Sequence, residues 1–431
     1  VTVSHHRRSV VATAVATTLI GLVSALGATS SASGSARSSG SGGAATVSAL
    51  PTRPDSVRRA QWQLGELNAQ TAWRYSTGRG VVVGVIDSGV DGKHPDLAGQ
   101  VLPGLDLVTP ARDGRYDPVG HGTTVAGLIA GSAADDKGAL GLAPDAKILP
   151  IRVLDSDNRY EDAMVVAAGV RWAVDHGARV LNLSLGGIGT SAALAEALDY
   201  AFAKDVVVIA CTGNVTASTP TEVWYPAREP GVVAVSGLDR DHEGVLWPNS
   251  ITGPATVISA PATSLLGARS GGSYWRVQGT SFAAPLVSAT AALIRARWPD
   301  MSAANVVNRL ISTARDIGPI GRDESYGFGA LDPVAALTHT ITPVMENPLD
   351  TEPPPGLAEF GPAPGTVQQA DGKLGGRPLD GEQNRAGGAA EPVTEDASDK
   401  SRGTLFGGAA ALVALIGAGA FAVRRLDSRR R

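Results

Sequence analysis

Val81-Val82-Val83-Gly84-Val85-Ile86-Asp87-Ser88-Gly89-Val90 is the stretch on which the architecture turns. From Val81 to Ile86 every residue is apolar or glycine, with no polar position between. A strand with one face in water alternates apolar and polar residues, whereas an unbroken apolar run is covered on both faces, as in a parallel sheet between two helical layers. Polarity returns abruptly at Asp87, so this carboxylate stands at the C-terminal end of the strand. In open parallel sheets that edge is where ligand sites form.

Outward from this stretch the pattern repeats. Strand-like apolar runs recur from Ile148 to Leu154, Val180 to Leu185, Val206 to Ala210, Val232 to Ser236 and Val257 to Ala260. Helical periodicity lies between and after them, over Thr123 to Ala130, Glu161 to Asp175, Ser191 to Lys204, Phe282 to Arg297 and Ala303 to Thr313. Such alternation predicts a three-layer α/β domain on a mostly parallel central sheet with helices on both faces. Right-handed crossovers then bring the strand C-terminal ends to one rim. A single large domain over residues 55–340 accommodates all of it. Between Asp55 and Tyr75, the residues Trp62, Leu64, Leu67, Ala69, Ala72 and Trp73 suggest a strap and short helix packed on that domain.

Four polar residues stand at element boundaries. Asp87 ends the first strand. His121 sits in Gly120-His121-Gly122-Thr123, just before the small-residue run Val125-Ala126-Gly127. Asn214 closes Thr212-Gly213-Asn214 after another apolar strand, and Ser281 lies in Gly279-Thr280-Ser281-Phe282-Ala283-Ala284-Pro285, where a helical pattern ended by Trp298-Pro299 begins. Singly, each has a structural reading: a turn aspartate, a structural histidine, a turn asparagine and a capping serine. Together they supply what acyl transfer needs. That is a nucleophile near unpaired helix N–H groups, a base, a carboxylate to hold the base, and an amide donor for an oxyanion.

Composition narrows the partners. The net charge of −4 implies no nucleic acid. The single cysteine, Cys211, follows the apolar run Val206 to Ala210, reads as a core residue and excludes an intrachain disulfide. Residues 1–30 combine a basic start, His5 to Arg8, with an apolar stretch from Val10 to about Ala28, the pattern of a secretory signal peptide, with an uncleaved signal anchor as the alternative. A Ser/Gly/Ala-rich extension follows over 31–54. Near the other end, Leu405 to Val423 is free of charged residues and long enough to be a transmembrane helix. The basic tail 424–431 follows it, which places that end in the cytoplasm and the domain outside the cell membrane. Residues 341–404, with Pro353-Pro354-Pro355 and Gly361-Pro362-Ala363-Pro364, read as a disordered stalk.

Four blocks, Asp87-Ser88-Gly89-Val90, Gly120-His121-Gly122-Thr123, Thr212-Gly213-Asn214 and Gly279 to Pro285, resemble the signature segments of the subtilisin-like serine proteases over residues 60 to 337. The resemblance implies a subtilisin-like fold and a serine endopeptidase with the triad Asp87, His121 and Ser281, in the Asp–His–Ser chain order of subtilisins. It implies Asn214 as oxyanion donor. Leu183-Ser184-Leu185-Gly186-Gly187 resembles the strand on which extended substrate lies, making Ser184, Leu185, Gly186 and Gly213 candidate substrate-binding residues. No cofactor is needed for that chemistry. The family often carries structural calcium, for which Asp135-Asp136-Lys137-Gly138 offers an acidic loop without ligand spacing.

The order of signal, protease, stalk, span and basic tail, with Tyr326 to Leu337 after the last block, resembles the mycosins, membrane-anchored proteases of type VII secretion in actinobacteria. Expected partners are therefore protein or peptide substrates, the cytoplasmic membrane and membrane subunits of a type VII complex. The alternative is an anchored scaffold of that complex with cleavage secondary or absent. Cys211 alone cannot form the disulfides usual in mycosins. Residues 31–54 are too few and too poor in apolar side chains to fold as the inhibitory prodomain usual in secreted subtilisin relatives, a short extension that the resemblance to mycosins also implies.

Overall fold

The structure is a computed structural model that describes residues 48–49, 54–132, 138–160, 162–216, 221–241 and 244–350, together with the backbone of 366–368 and 374–376. Its strands in chain order are β1 (Ser48–Ala49), β2 (Val82–Asp87), β3 (Leu105–Asp106), β4 (Lys147–Arg152), β5 (Val180–Leu183) and β6 (Val207–Cys211). Then come β7 (Val233–Leu238), β8 (Ile258–Pro261), β9 (Leu265–Arg269), β10 (Ser273–Val277), β11 (Thr366–Gln368) and β12 (Leu374–Gly376). The helices are α1 (Pro54–Ala60), α2 (Trp62–Glu66), α3 (Ala69–Ala72), α4 (His121–Ala130), α5 (Ala163–Asp175), α6 (Ala192–Ala203), α7 (Thr280–Arg297), α8 (Ala303–Ser312) and α9 (Pro333–Thr338). Residues 1–353 and 354–431 form separate units, and the antiparallel pair β11–β12 belongs to the second.

Seven strands make one parallel sheet in the order β3-β4-β2-β5-β6-β7-β8. Every residue of β5, β6, β7 and β8 is buried, so the sheet is covered on both faces. Helices α5 and α6 pack on each other and on β2, β4 and β6; α4 and α7 pack together, with α7 running across β5 to β8. After β2 the chain moves towards β3 and β4, and after β5 it moves the other way, towards β6. Connections that leave neighbouring strands in opposite directions open a crevice at their C-terminal ends. Asp87 ends one of these strands and Ser184 follows the other.

Where the sequence and the structure differ, the reasons are local. Helices α4 and α7 begin two and two residues before the apolar periodicity, because their first turns carry polar residues: His121 in one, Thr280 and Ser281 in the other. The hairpin β9–β10 was not read from the sequence, although Gly271-Gly272 between two strand-like runs is a hairpin signal. Residues 341–350, read as the beginning of the stalk, lie against the domain in the first unit. Asn305 exchanges two bonds of 2.9 Å with the backbone of Val344, Asn308 donates to the Thr342 carbonyl at 2.9 Å, and Asn347 donates to Gly231 at 2.9 Å. Among the described residues no helix is long and apolar enough to cross a membrane. The apolar stretches 10–28 and 405–423 and the acidic pair Asp135-Asp136 lie outside the described residues.

Candidate active site

The crevice between β2 and β5 gathers the polar boundary residues. Asp87 is wholly buried, and its Oδ1 lies 2.7 Å from His121 Nδ1. The same oxygen accepts the Ser88 N–H at 2.7 Å. An imidazole whose Nδ1 faces a carboxylate carries its proton there, which leaves Nε2 as the acceptor. The two elements can approach this closely because residue 122 is glycine: a β-carbon there would fall 2.1 Å from the Gly89 carbonyl oxygen and 3.1 Å from Asp87 Oδ1.

Helix α4 has glycine at its N-cap, Gly120, and no cap from that residue's own side chain. The cap comes instead from Asp117. Its carboxylate accepts the N–H of Val119, Gly120 and Thr123 and the hydroxyls of Ser88 and Thr123, at 2.6–3.0 Å. A carboxylate in this place both satisfies orphan N–H groups and suits the positive end of the helix dipole. Asp117 was not singled out from the sequence. Its signal was an acidic residue just ahead of a helix start whose own cap position is glycine. Burial raises the Asp117 carboxyl above the usual range, opposed by its bonds to Thr123 and Gly120 and reinforced by the charge of Asp87. At His121 burial works against protonation, but the charge and hydrogen bond of Asp87 together with the charge of Asp117 outweigh it, and the imidazole is raised above its ordinary value.

Helix α7 repeats the device. Gly279 is its N-cap, again without a side-chain cap, and the Thr280 N–H donates instead to Asn214 Oδ1 at 2.9 Å. With its oxygen held by a backbone donor, the Asn214 carboxamide has its Nδ2 donor at the other end. Thr280 also links its hydroxyl to Gly213, donating to the carbonyl at 3.1 Å and accepting the Gly213 N–H at 3.2 Å. Ser281 is the second residue of the helix and keeps 9% of its surface exposed. Its hydroxyl donates to the Cys211 sulfur at 3.8 Å. The His121 and Phe282 rings lie 5.0 Å apart. Burial raises the Cys211 thiol to about 11, so it is a neutral neighbour at any ordinary pH.

Pro285 lies within α7 and has no N–H to give to the carbonyl four residues earlier, which is that of Ser281. Ser184 fills the gap: its hydroxyl donates to the Ser281 carbonyl oxygen at 2.6 Å. Behind it, Asn182 Nδ2 donates to Ser184 Oγ at 2.9 Å, and Ser288 Oγ donates to Asn182 Oδ1 at 2.9 Å. This buried chain of polar groups ties the start of α7 to β5. Among the other candidates for substrate contact, Leu185 is buried and its carbonyl faces Cys211, while Gly186 and Gly213 both lie against Trp224. Among the described residues, no three His, Cys, Asp or Glu side chains gather as a metal cluster.

A parallel α/β domain with a carboxylate–imidazole pair and a serine-headed helix at one crevice has the parts of an acyl-transfer hydrolase. Residues 78–329 match the family described as Peptidase_S8, the subtilase family, and the chain belongs to this family of serine peptidases. Fervidolysin of Fervidobacterium pennivorans is 36% identical over 323 residues, which are 68% of this chain and 44% of fervidolysin. The chain thus spans less than half the length of that relative. Among solved structures, the serine protease MycP1, described as an essential component of the type VII (ESX-1) secretion system, is 31% identical with a TM-score of 0.61, covering 68% of this chain and 92% of its own. MycP3 protease from the type VII (ESX-3) secretion system is 32% identical with a TM-score of 0.58, covering 68% and 92%. The chain is therefore related to the mycosins.

Proposed function

We propose that the protein is a serine endopeptidase in which Asp87, His121 and Ser281 act as the triad and Asn214 as an oxyanion donor. The observation that carries this is the 2.7 Å contact between Asp87 and the Nδ1 side of His121, at the same crevice where Ser281 heads a helix. Ser281 Oγ turns from the Cys211 sulfur towards the imidazole and attacks a peptide carbonyl carbon. Its proton passes to His121 Nε2 and then to the leaving amine. Asp87 holds the tautomer and stabilises the imidazolium. The oxyanion receives the Asn214 carboxamide and a free N–H of the first turn of α7, where the helix dipole also favours negative charge. Water then enters from the leaving-group side, His121 takes its proton, and the acyl-enzyme is hydrolysed. An extended substrate lies along residues 184–187.

The setting we infer is the outer face of the cytoplasmic membrane, anchored by residues 405–423 with Arg424-Arg425 inside, beside a type VII secretion complex. The relatedness to MycP1 and MycP3 supports that setting. The test is labelling of the full chain, in detergent, with a fluorophosphonate, beside its Ser281→Ala variant. Labelling of the first alone is expected, together with a loss of peptidase turnover of at least ~10³-fold in the variant. A folded chain that takes no label, or a variant that still cleaves, refutes the proposal.

A further inference from the structure

The acyl carbon of a substrate must lie within reach of Ser281, with its oxygen towards Asn214. The side chain on the acyl side then enters the gap between the two segments that flank these residues, 184–187 and 212–214. In this protein the gap is filled. A β-carbon on Gly213, where φ is +107°, would lie 2.5 Å from Trp224 Cδ2, 2.6 Å from Cε2 and 2.7 Å from Cγ, so the indole lies flat against the Gly213 backbone. A β-carbon on Gly186 would lie 3.2 Å from Trp224 Cβ and 3.5 Å from Cε3. Trp224 therefore lies against both segments.

Its backbone is pinned to both walls as well. The Trp224 N–H donates to the Thr212 carbonyl at 2.9 Å, and Tyr225 exchanges bonds of 2.7 and 3.0 Å with Gly187. Neither glycine can gain a side chain without displacing Trp224, whose backbone is held in place by these bonds. An aromatic side chain occupies too much volume for a large neighbour to share the same slot.

We propose that Trp224 is the specificity-determining residue, and that it confines cleavage to bonds following small residues: glycine, alanine or serine. This rests on the endopeptidase reading above. The selectivity is steric exclusion, which discriminates more sharply than the 10- to 200-fold that one missing methylene in an open apolar pocket allows.

The experiment compares the full chain with Trp224→Gly on two anilide tetrapeptides that differ only in alanine or phenylalanine before the scissile bond. Fluorophosphonate labelling of Ser281 in each protein reports whether the site is assembled. The expected result is that the natural chain favours alanine by about 100-fold or more in kcat/KM, and that Trp224→Gly narrows or inverts this ratio through a gain on phenylalanine. A labelled natural chain that cleaves after phenylalanine as readily as after alanine overturns the proposal, and so does a labelled variant with an unchanged ratio. A natural chain that neither labels nor cleaves would instead remove the endopeptidase reading beneath it. Should Trp224→Gly fail to fold, the bonds that the natural chain cleaves in an unfolded protein substrate, mapped by mass spectrometry, decide: small residues before the cut support the proposal and aromatic ones overturn it.

Discussion

His121 is poised between two carboxylates, one in contact and one at the neck of its helix. On the proposed mechanism only the neutral imidazole can take the serine proton, so the rate is expected to fall as pH drops through the His121 value in the folded protein. That value is raised above the ordinary imidazole, which puts the acid limb of kcat/KM above about 6.5. The charge of Asp117 is one of the causes. Asp117→Asn removes it, lowers the His121 value and moves the limb to lower pH. It also turns one acceptor into a donor facing Thr123, so some stability is lost as well. A purely structural role for Asp117 predicts a lower Tm with the limb in place; pH–rate profiles of the two proteins separate the cases. The sequence disclosed Asp87, His121, Asn214 and Ser281 because each interrupts an apolar or small-residue pattern. Asp117 was hidden because its significance lies in which N–H groups point at it, and no periodicity records that.

At the level of elements, α4 and α7 share a construction: glycine at the N-cap and a cap borrowed from elsewhere, Asp117 for one and Asn214 for the other. His121, next to Gly120, and Ser281, two residues after Gly279, therefore remain free of capping duty. The link between β5 and α7 makes a sharper prediction. Ser184→Ala leaves the Ser281 carbonyl opposite Pro285 with no donor, a loss of about 1–3 kcal/mol for a buried group. Pro285→Ala restores an N–H four residues along the helix. In a double-mutant cycle followed by urea unfolding, Pro285→Ala is expected to recover part of the Ser184→Ala loss, so the two changes couple. Strict additivity would mean that Ser184 does not stand in for the missing helix bond. The sequence already contained the proline, but the serine that compensates it lies 97 residues before the Ser281 carbonyl it bonds.

For the molecule as a whole, the parallel domain was legible because strands covered on both faces read as mostly apolar runs, unbroken in β6 and in β2 as far as Asp87, with the single buried polar residues Asn182, Ser236 and Ser259 in β5, β7 and β8. What escaped were pieces stabilised by pairing rather than by apolar content: the two-residue β3, the β9–β10 hairpin and the strap 341–350. That strap looks like linker by composition, with Pro343 and Pro348 in ten residues, yet its backbone meets the carboxamides of Asn305 and Asn308, and its own Asn347 carboxamide donates to the Gly231 carbonyl. A chain ending at residue 340 is expected to melt several degrees below one ending at 350, since each such bond contributes about 0.5–1.5 kcal/mol. Equal Tm values by calorimetry would show the strap to be idle.

The strand order carries a consequence for how the protein is made. Asp87 comes from the middle of the sheet, His121 from the helix beyond it and Asn214 from the far half, while Ser281 waits until all seven parallel strands have been synthesised. A ribosome therefore delivers a polypeptide without its proposed nucleophile for most of its length. On the proposed reading, any product broken off before α7 lacks the nucleophile, so a half-made copy has no means of cleaving the proteins around it.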